Sequence, residues 1–248
     1  MISATVSRWS AWAPDHESHE DWRAWSQSPT PLPSEGHPDA HFVPALLRRR
    51  CTPLSRIMLT AAYACCREDE RAGARTVFAS RHGSINESLS LLEAVAQHRV
   101  VSPAKFSHTV HNAQAGLFSI AASNREASSS LAAEEDTFAA GYLEALTHLE
   151  RDPERSVLLV VGDVPLAPTF APLVDEPAVP YALGLLLQGA GPGTRIDFSV
   201  AEQSARAGRL AWPDALEFLR WLLADEPELE LGSGRLRWIW KRQGEART

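Results

Sequence analysis

Apolar residues recur along this chain with two different periods, and each period predicts a type of element. Residues 52–65 carry apolar side chains at helical spacing, with Thr52 as a capping residue and Pro53 at the favoured first position. Residues 157–161 and 181–188 are nearly continuous apolar runs, which indicates strands buried on both faces. Helix and strand patterns alternate through the first two thirds of the chain, and this predicts a layered α/β fold.

Shorter patterns predict the remaining elements. Further strands are expected at residues 2–11, 76–80, 128–132 and 235–241. Further helices are expected after the capping-box pattern Ser84-Ile-Asn-Glu87, after the acidic residues 134–136, and over residues 213–224. Residues 14–38 are polar and proline-rich, so we expect a surface excursion there rather than a core element. The terminal strand alternates basic and bulky residues, which favours a sheet edge over the alternative of a membrane-surface or interface role.

Composition narrows the class of protein. The chain has 248 residues, 44% of them hydrophobic, which fits one domain with a sizeable core. No apolar run has membrane-spanning length, and we expect neither a signal peptide nor a membrane span. An odd number of cysteines (Cys51, Cys65 and Cys66) predicts reduced thiols and a cytoplasmic location. The net charge of −7 argues against nucleic acid as a partner. The acidic and histidine-containing residues 15–21 lack a zinc-ligand spacing, so no metal or cofactor is expected.

Five short motifs then stand in a recognisable order. They are Arg48-Arg49-Arg50 with Ser55-Arg56, residues 76–80 with Arg81-His82-Gly83, Val101-Ser102-Pro103, Asn112-Ala-Gln-Ala-Gly116, and residues 157–162 with Asp163. Together they resemble the N-terminal half of β-ketoacyl synthases. The resemblance implies a thiolase-like α/β fold, N-terminal half only, with a layered mixed sheet and helices on both faces. It implies one domain over residues 1–248, with a core at about 42–190 and a rewritten segment at 191–248.

The resemblance also locates a missing nucleophile. Residues 106–142 resemble the strand–elbow–helix segment that presents the catalytic cysteine of a ketosynthase. Counting from either flanking motif places that cysteine at Ala133, Glu134 or Glu135, and no cysteine follows Cys66. The two C-terminal histidines of the family also lack counterparts, because the last histidine is His148. Claisen condensation needs both groups. We therefore expect no catalytic residue here and no enzyme activity of the isolated chain.

Short ketosynthase-like chains without the cysteine resemble the chain-length factors of aryl polyene biosynthesis. That resemblance implies a heterodimer with a complete β-ketoacyl synthase, transient contact with an acyl carrier protein, and a role in shaping the acyl tunnel. The implied dimer interface is the strand Ser128, Ser129, Ser130, Leu131 and Ala132. The implied tunnel wall comprises Ile85, Asn86, Leu89, Ser90, Phe106, Thr109, His111 and Phe118. Plain core packing is an equal alternative for Leu89 and Phe118, and an interface position is favoured for His111.

Two other functions stay open at this point. A malonyl-carrier-protein decarboxylase could use Glu134, Glu135 or Asp136, although acids in a first helical turn are favoured by the helix dipole alone. A carrier-protein-binding scaffold without a tunnel role could use the basic run 48–50 to contact an acidic carrier. Solvation or intramolecular pairing of those arginines is the commoner situation.

Overall fold

The strands of this protein form one continuous mixed sheet. The structure is a computed structural model that describes residues 1–174, 177–202, 211–224, 226–232 and 236–244. Within these residues the strands are β1 (Ile2–Trp12), β2 (Arg75–Ala79), β3 (Ser128–Leu131), β4 (Val157–Asp163), β5 (Tyr181–Gln188), β6 (Thr194–Glu202), β7 (Glu228–Leu231) and β8 (Leu236–Arg242). Their order is β3-β2-β4-β5-β1-β6-β8-β7. The predicted strands are therefore confirmed to within a residue or two.

The sheet changes character along its width. Strands β3, β2 and β4 run parallel, with Phe78 opposite both Ser130 and Val160. All later neighbours pair antiparallel. Strand β3 lies at one edge of the sheet and β7 at the other. The segment after residue 190 thus extends the same sheet through β6, β8 and β7.

Helices cover both faces of the sheet, as predicted. They are α1 (His19–Gln27), α2 (Ala45–Arg48), α3 (Pro53–Cys65), α4 (Glu68–Arg71), α5 (Ile85–Ala96), α6 (Pro103–Phe106), α7 (Ala113–Ala121), α8 (Thr137–Arg151) and α9 (Asp214–Leu223). Short 3-10 turns occupy Glu134–Asp136 and Ala171–Leu173. Helices α3 and α7 pack on one face, and α1, α8 and α9 on the other. Among the described residues, no helix combines the length and apolarity needed to cross a bilayer.

The prediction of a surface excursion at residues 14–38 is wrong for part of that segment. Helix α1 begins with a capping box between Ser18 and Asp21 and buries Trp22 and Trp25, which are 0% and 3% exposed. The indole of Trp22 donates a hydrogen bond to the carbonyl of Ala11 at 3.0 Å. Two tryptophans three residues apart anchor a helix that is otherwise polar. The polar composition concealed this, because one short stripe suffices to dock the helix.

The predicted capping box of α5 does not form. Helix α5 begins after Ser84, but the Ser84 hydroxyl makes no capping bond and instead accepts a hydrogen bond from the Gln114 amide at 3.3 Å. None of the residues of α5 is buried. The apolar side chains that would ordinarily face a core therefore lie partly or largely on the surface.

The C-terminal strand is not at an edge. Strand β8 pairs with β6 on one side and with β7 on the other. One of its faces buries Trp238 and Trp240. On the other face Arg237 and Lys241 form ion pairs with β7 at 3.1 and 2.9 Å. The expected polar face exists, but β7, a strand that the sequence analysis did not predict, covers the edge.

Candidate functional site

A tight elbow joins the edge strand β3 to the buried helix α8. Glu134 adopts a left-handed backbone conformation with φ of 51°, which residues other than glycine rarely adopt. The Thr137 hydroxyl holds the turn, because it accepts from the Ala133 amide at 2.9 Å and donates to the Glu134 carbonyl at 2.7 Å. Of the three positions that the sequence offered for the lost nucleophile, the backbone singles out Glu134 as the tip of the elbow.

The elbow offers little nucleophilic chemistry. The side chain of Glu134 is exposed, and Ala133 before it is apolar. Glu135 lies 3.8 Å from the guanidinium of Arg81. The one hydroxyl of the turn, on Thr137, is buried and is already used as both donor and acceptor. A group so engaged is poorly placed to attack a thioester.

Helix α9 brings further carboxylates to the elbow. Burial, followed by the charges of Asp136 and Glu217, raises the pKa of Asp214 to about 7, while Arg81 acts in the opposite direction. Asp214 is the first residue of α9. The accumulation of acids disfavours binding of an anion such as a malonyl carboxylate here. Among the described residues no cluster of histidine, cysteine and acidic side chains could hold a metal ion.

A buried carboxylate fixes the neighbouring strand end. Asp163, at the end of β4, accepts hydrogen bonds from the Ser80 hydroxyl at 2.7 Å, the Arg81 amide at 2.9 Å and the His82 amide at 3.0 Å. Burial raises the pKa of Asp163, and these hydrogen bonds act in the opposite direction. The Ser80 hydroxyl in turn accepts from the Gly83 amide at 2.9 Å. The carboxylate thus has a structural task, to position the turn that leads into α5.

Five of the eight residues of the predicted tunnel wall lie on two helices that are in contact. Helices α5 and α6 are in contact, and the members that are half-buried or exposed are Ile85, Asn86, Leu89, Ser90, Phe106, Thr109 and His111. The Asn86 amide group clamps the loop after β4, because it donates to the Pro165 carbonyl at 3.0 Å and accepts from the Ala167 amide at 2.9 Å. Asn86 therefore positions α5 in addition to lying on it.

Two residues of the predicted wall have distinct environments. Phe118 is 1% exposed and packs against Phe78 and Tyr63 in the interior, which is the core-packing alternative. His111 lies against Gly83, where an added Cβ would be 2.9 Å from the imidazole Nδ1. Gly83 also has φ of 54°, so its lack of a side chain serves both the turn and the histidine.

The strand predicted to form the dimer interface has an open edge. The Thr76 amide donates to the Ala127 carbonyl and the Ser80 amide to the Leu131 carbonyl, so alternate residues of β3 face β2. The backbone groups of Ser128 and Ser130 consequently point away from the sheet. An unpaired edge of this kind is a template for another strand.

Exposed apolar side chains are concentrated in the segment of the chain that precedes this strand. Of the twelve large hydrophobic side chains exposed among the described residues, six lie between residues 92 and 120, namely Leu92, Val95, Val100, Phe106, Val110 and Ile120. They belong to α5, α6, α7 and the connections between them. Such a concentration is typical of surfaces that another protein covers.

The mixed sheet, the strand–elbow–helix turn and the buried helix after it define a chain of the thiolase-like, ketosynthase type. The sequence pattern of the family "Beta-ketoacyl synthase, N-terminal domain" matches residues 22–241. The chain belongs to this family. No curated protein sequence matches it.

Solved structures agree with this assignment. One chain of the complex between the ketosynthase ApeO and its chain length factor ApeC from Xenorhabdus doucetiae superimposes with a TM-score of 0.84 at 27% identity. The match covers 98% of this chain and 100% of that one. The ishigamide ketosynthase/chain length factor gives 0.60 at 16% identity, over 81% of this chain and 68% of that one. The AntDE:AntF complex of a type II polyketide synthase gives 0.71 at 9% identity, over 98% and 99%. The last two likenesses concern the fold alone.

Proposed function

We propose that this chain is the non-catalytic, chain-length-factor subunit of a ketosynthase heterodimer. One observation supports the proposal: at the turn between β3 and α8 the residue with a left-handed backbone is Glu134, which bears a carboxylate, and further acids lie near Asp214 beside it. The full-length match at 27% identity to a chain of a ketosynthase–chain length factor complex supports the same role. A complete β-ketoacyl synthase then supplies the cysteine and performs the condensation.

The proposed interface is centred on the residues Ser128, Ser129, Ser130, Leu131 and Ala132. The outward backbone groups of Ser128 and Ser130 pair with the equivalent strand of the ketosynthase, which continues the sheet across the complex. The exposed apolar side chains of α5 to α7 are buried in the same event. Association therefore pairs the backbone groups of the open strand edge and at the same time removes apolar surface from water.

The proposed tunnel wall follows from the same arrangement. Helix α5 presents Ile85, Leu89 and Ser90 on an element without a buried residue, and Phe106 lies 63% exposed on the adjoining α6. A growing acyl chain that leaves the partner's active site meets this surface, and the bulk of its side chains limits the product length. Phe118, which packs in the interior, acts on the wall only through its neighbours.

The finer assignment is to type II polyene or fatty-acid-like biosynthesis, in the manner of aryl polyene systems. Substrates then arrive on an acyl carrier protein that contacts the complex transiently. A cytoplasmic location accompanies this proposal and suits three cysteines that are all free thiols. A decarboxylase role is disfavoured by the acids around Asp214, which oppose a malonyl carboxylate. A scaffold without a tunnel role would have no effect on product length, and this distinguishes it from the proposed subunit.

Reconstitution tests the proposal. The chain and a ketosynthase from the same gene neighbourhood are co-expressed, with an affinity tag on the ketosynthase only. We expect co-purification in equal amounts, and condensation of carrier-bound substrates by the complex. The isolated chain is assayed for malonyl-carrier-protein decarboxylation. Decarboxylation by the chain alone would overturn the non-catalytic role, and a product spectrum that does not depend on this chain would favour the scaffold.

A further inference from the structure

A cleft of about 320 Å³ opens between the turn that precedes α3, the helix α5 and the segment that begins with α6. None of the elbow residues lines it. Its basic residues come from both walls: Arg49 and Arg50 from one, Lys105 and His108 from the other. This is a concentration of positive charge in a chain whose net charge is −7.

Three cationic side chains of the cleft have no acidic partner among the residues that the structure describes. Arg48, the neighbour of this pair, bonds the His41 ring at 2.8 Å. In contrast, Arg49, Arg50 and Lys105 are exposed and form no ion pair or hydrogen bond through their side chains with any residue that the structure describes. Elsewhere in the described part of the chain arginines do pair with acids, as Arg75 does with Asp152 at 3.0 Å. The cleft therefore keeps charge that no described residue neutralises.

The other polar groups of the cleft are also suited to an anion. Glu87 also lines the cleft, and burial raises the pKa of its carboxyl, which weakens its opposition to a bound anion. Burial, and then the charge of Arg50, lowers the pKa of His108. A neutral imidazole still donates one N–H. The N-terminus of α3, a helix of 13 residues, begins beside the lining residue Thr52 and adds its positive dipole end.

We propose that this cleft binds the phosphate group of a small ligand. Two guanidinium groups and an ammonium group together suit the charge of a phosphate dianion better than that of a single carboxylate, and guanidinium groups can bind phosphate oxygens in a bidentate manner. The volume lies at the small end of ligand sites, which fits a phosphate ester rather than the convex surface of an acidic protein. The site is separate from the elbow and from the outward backbone groups of β3.

Calorimetric titration of pyrophosphate and of inorganic phosphate into the full chain tests this site. The same titrations are made on the chain in complex with its ketosynthase. We expect saturable binding at one site per chain, weakened by added salt. Arg50→Ala and Lys105→Ala should each weaken it about tenfold, since each removes a charge-assisted contact. The control is Arg23→Ala, an exposed arginine of α1 on the opposite face of the sheet, which should leave affinity unchanged.

Three results would overturn the proposal. They are the absence of saturable binding, equal affinity in Arg50→Ala and in the unsubstituted chain, and binding of an acidic protein without binding of pyrophosphate. Because the substituted side chains are exposed, loss of folding does not confuse the outcome, and thermal unfolding of each variant verifies this. The cleft shares Ser90 with the proposed tunnel wall. The pairing experiment does not use Arg50 or Lys105, so failure of phosphate binding leaves that experiment unaffected.

Discussion

Replacing Ser130 by proline should separate this chain from its ketosynthase without unfolding it. Hydrogen bonds at Ala127 and Leu131 fix which residues of β3 face β2, and Ser130 faces the open edge. Proline at that position removes an outward N–H and no hydrogen bond within the chain. The Ser130 hydroxyl is buried without a hydrogen-bond partner among the described residues, so its loss costs little.

The magnitude follows from what the partner strand loses. In the complex the Ser130 N–H would meet a carbonyl of the ketosynthase strand, and proline leaves that carbonyl buried without a donor. Such a group costs about 1–3 kcal/mol, which corresponds to a roughly 5- to 140-fold weaker complex. Steric exclusion by the ring adds to this loss. The midpoint of thermal unfolding of the isolated chain should change by only a few degrees, because the β2–β3 ladder is kept.

Affinity is measured by surface plasmon resonance with the ketosynthase immobilised. Ser130→Ala is the matched control, since it removes the same hydroxyl and keeps the N–H, and it should bind like the unsubstituted chain. Undiminished binding by Ser130→Pro would refute pairing through β3. Equal loss in both variants would show that the hydroxyl, and not the strand edge, matters.

Three further predictions concern the tunnel, the elbow and the acids beside it. Leu89→Trp should shorten the product and Leu89→Ala lengthen it, as read by mass spectrometry of carrier-bound acyl chains; an unchanged profile in both contradicts a tunnel role for α5. Glu134→Gly should raise the thermal midpoint by about 2–4 °C, because it relieves about 1 kcal/mol of left-handed strain at an exposed residue; a lower midpoint contradicts it. Since the pKa of Asp214 rises from 3.8 to about 7 on folding, the folded chain holds a proton that the unfolded chain releases, and stability falls as pH rises across that interval. Asp214→Asn should therefore stabilise the chain by a few degrees above pH 7 and hardly at all near pH 4, and a gain independent of pH would contradict this.

Periodicity was enough to predict several of the strands and of the helices that pack on the sheet. The apolar runs of β4 and β5 and the stripes of α3 and α8 are buried as predicted, because core burial demands these patterns. Pattern failed for α1, where two tryptophans dock an otherwise polar helix. The sequence analysis also missed β6 and β7, although Glu and Leu alternate along the four residues of β7.

The sequence suggested a position for the candidate site but not its environment. The motif spacing offered three positions for the elbow, and among them only Glu134 has a left-handed backbone. Neither the approach of Asp214 nor the cationic cleft around Arg50 follows from local sequence, since each joins segments far apart in the chain. The exposure of α5 shows a different limit of sequence analysis. An apolar stripe predicts that one face of a helix is buried, but it does not indicate whether the chain itself or a partner buries that face.

The central claim, that this chain serves a condensing enzyme without being one, is tested most directly by locating the acyl group. The reconstituted complex is incubated with an acyl-carrier substrate, and each subunit is analysed by intact-protein mass spectrometry. We predict that the acyl adduct lies on the ketosynthase cysteine, that this chain carries none, and that elongation needs both subunits. An acyl adduct on this chain, or full elongation to the normal length by the ketosynthase without it, would contradict the account.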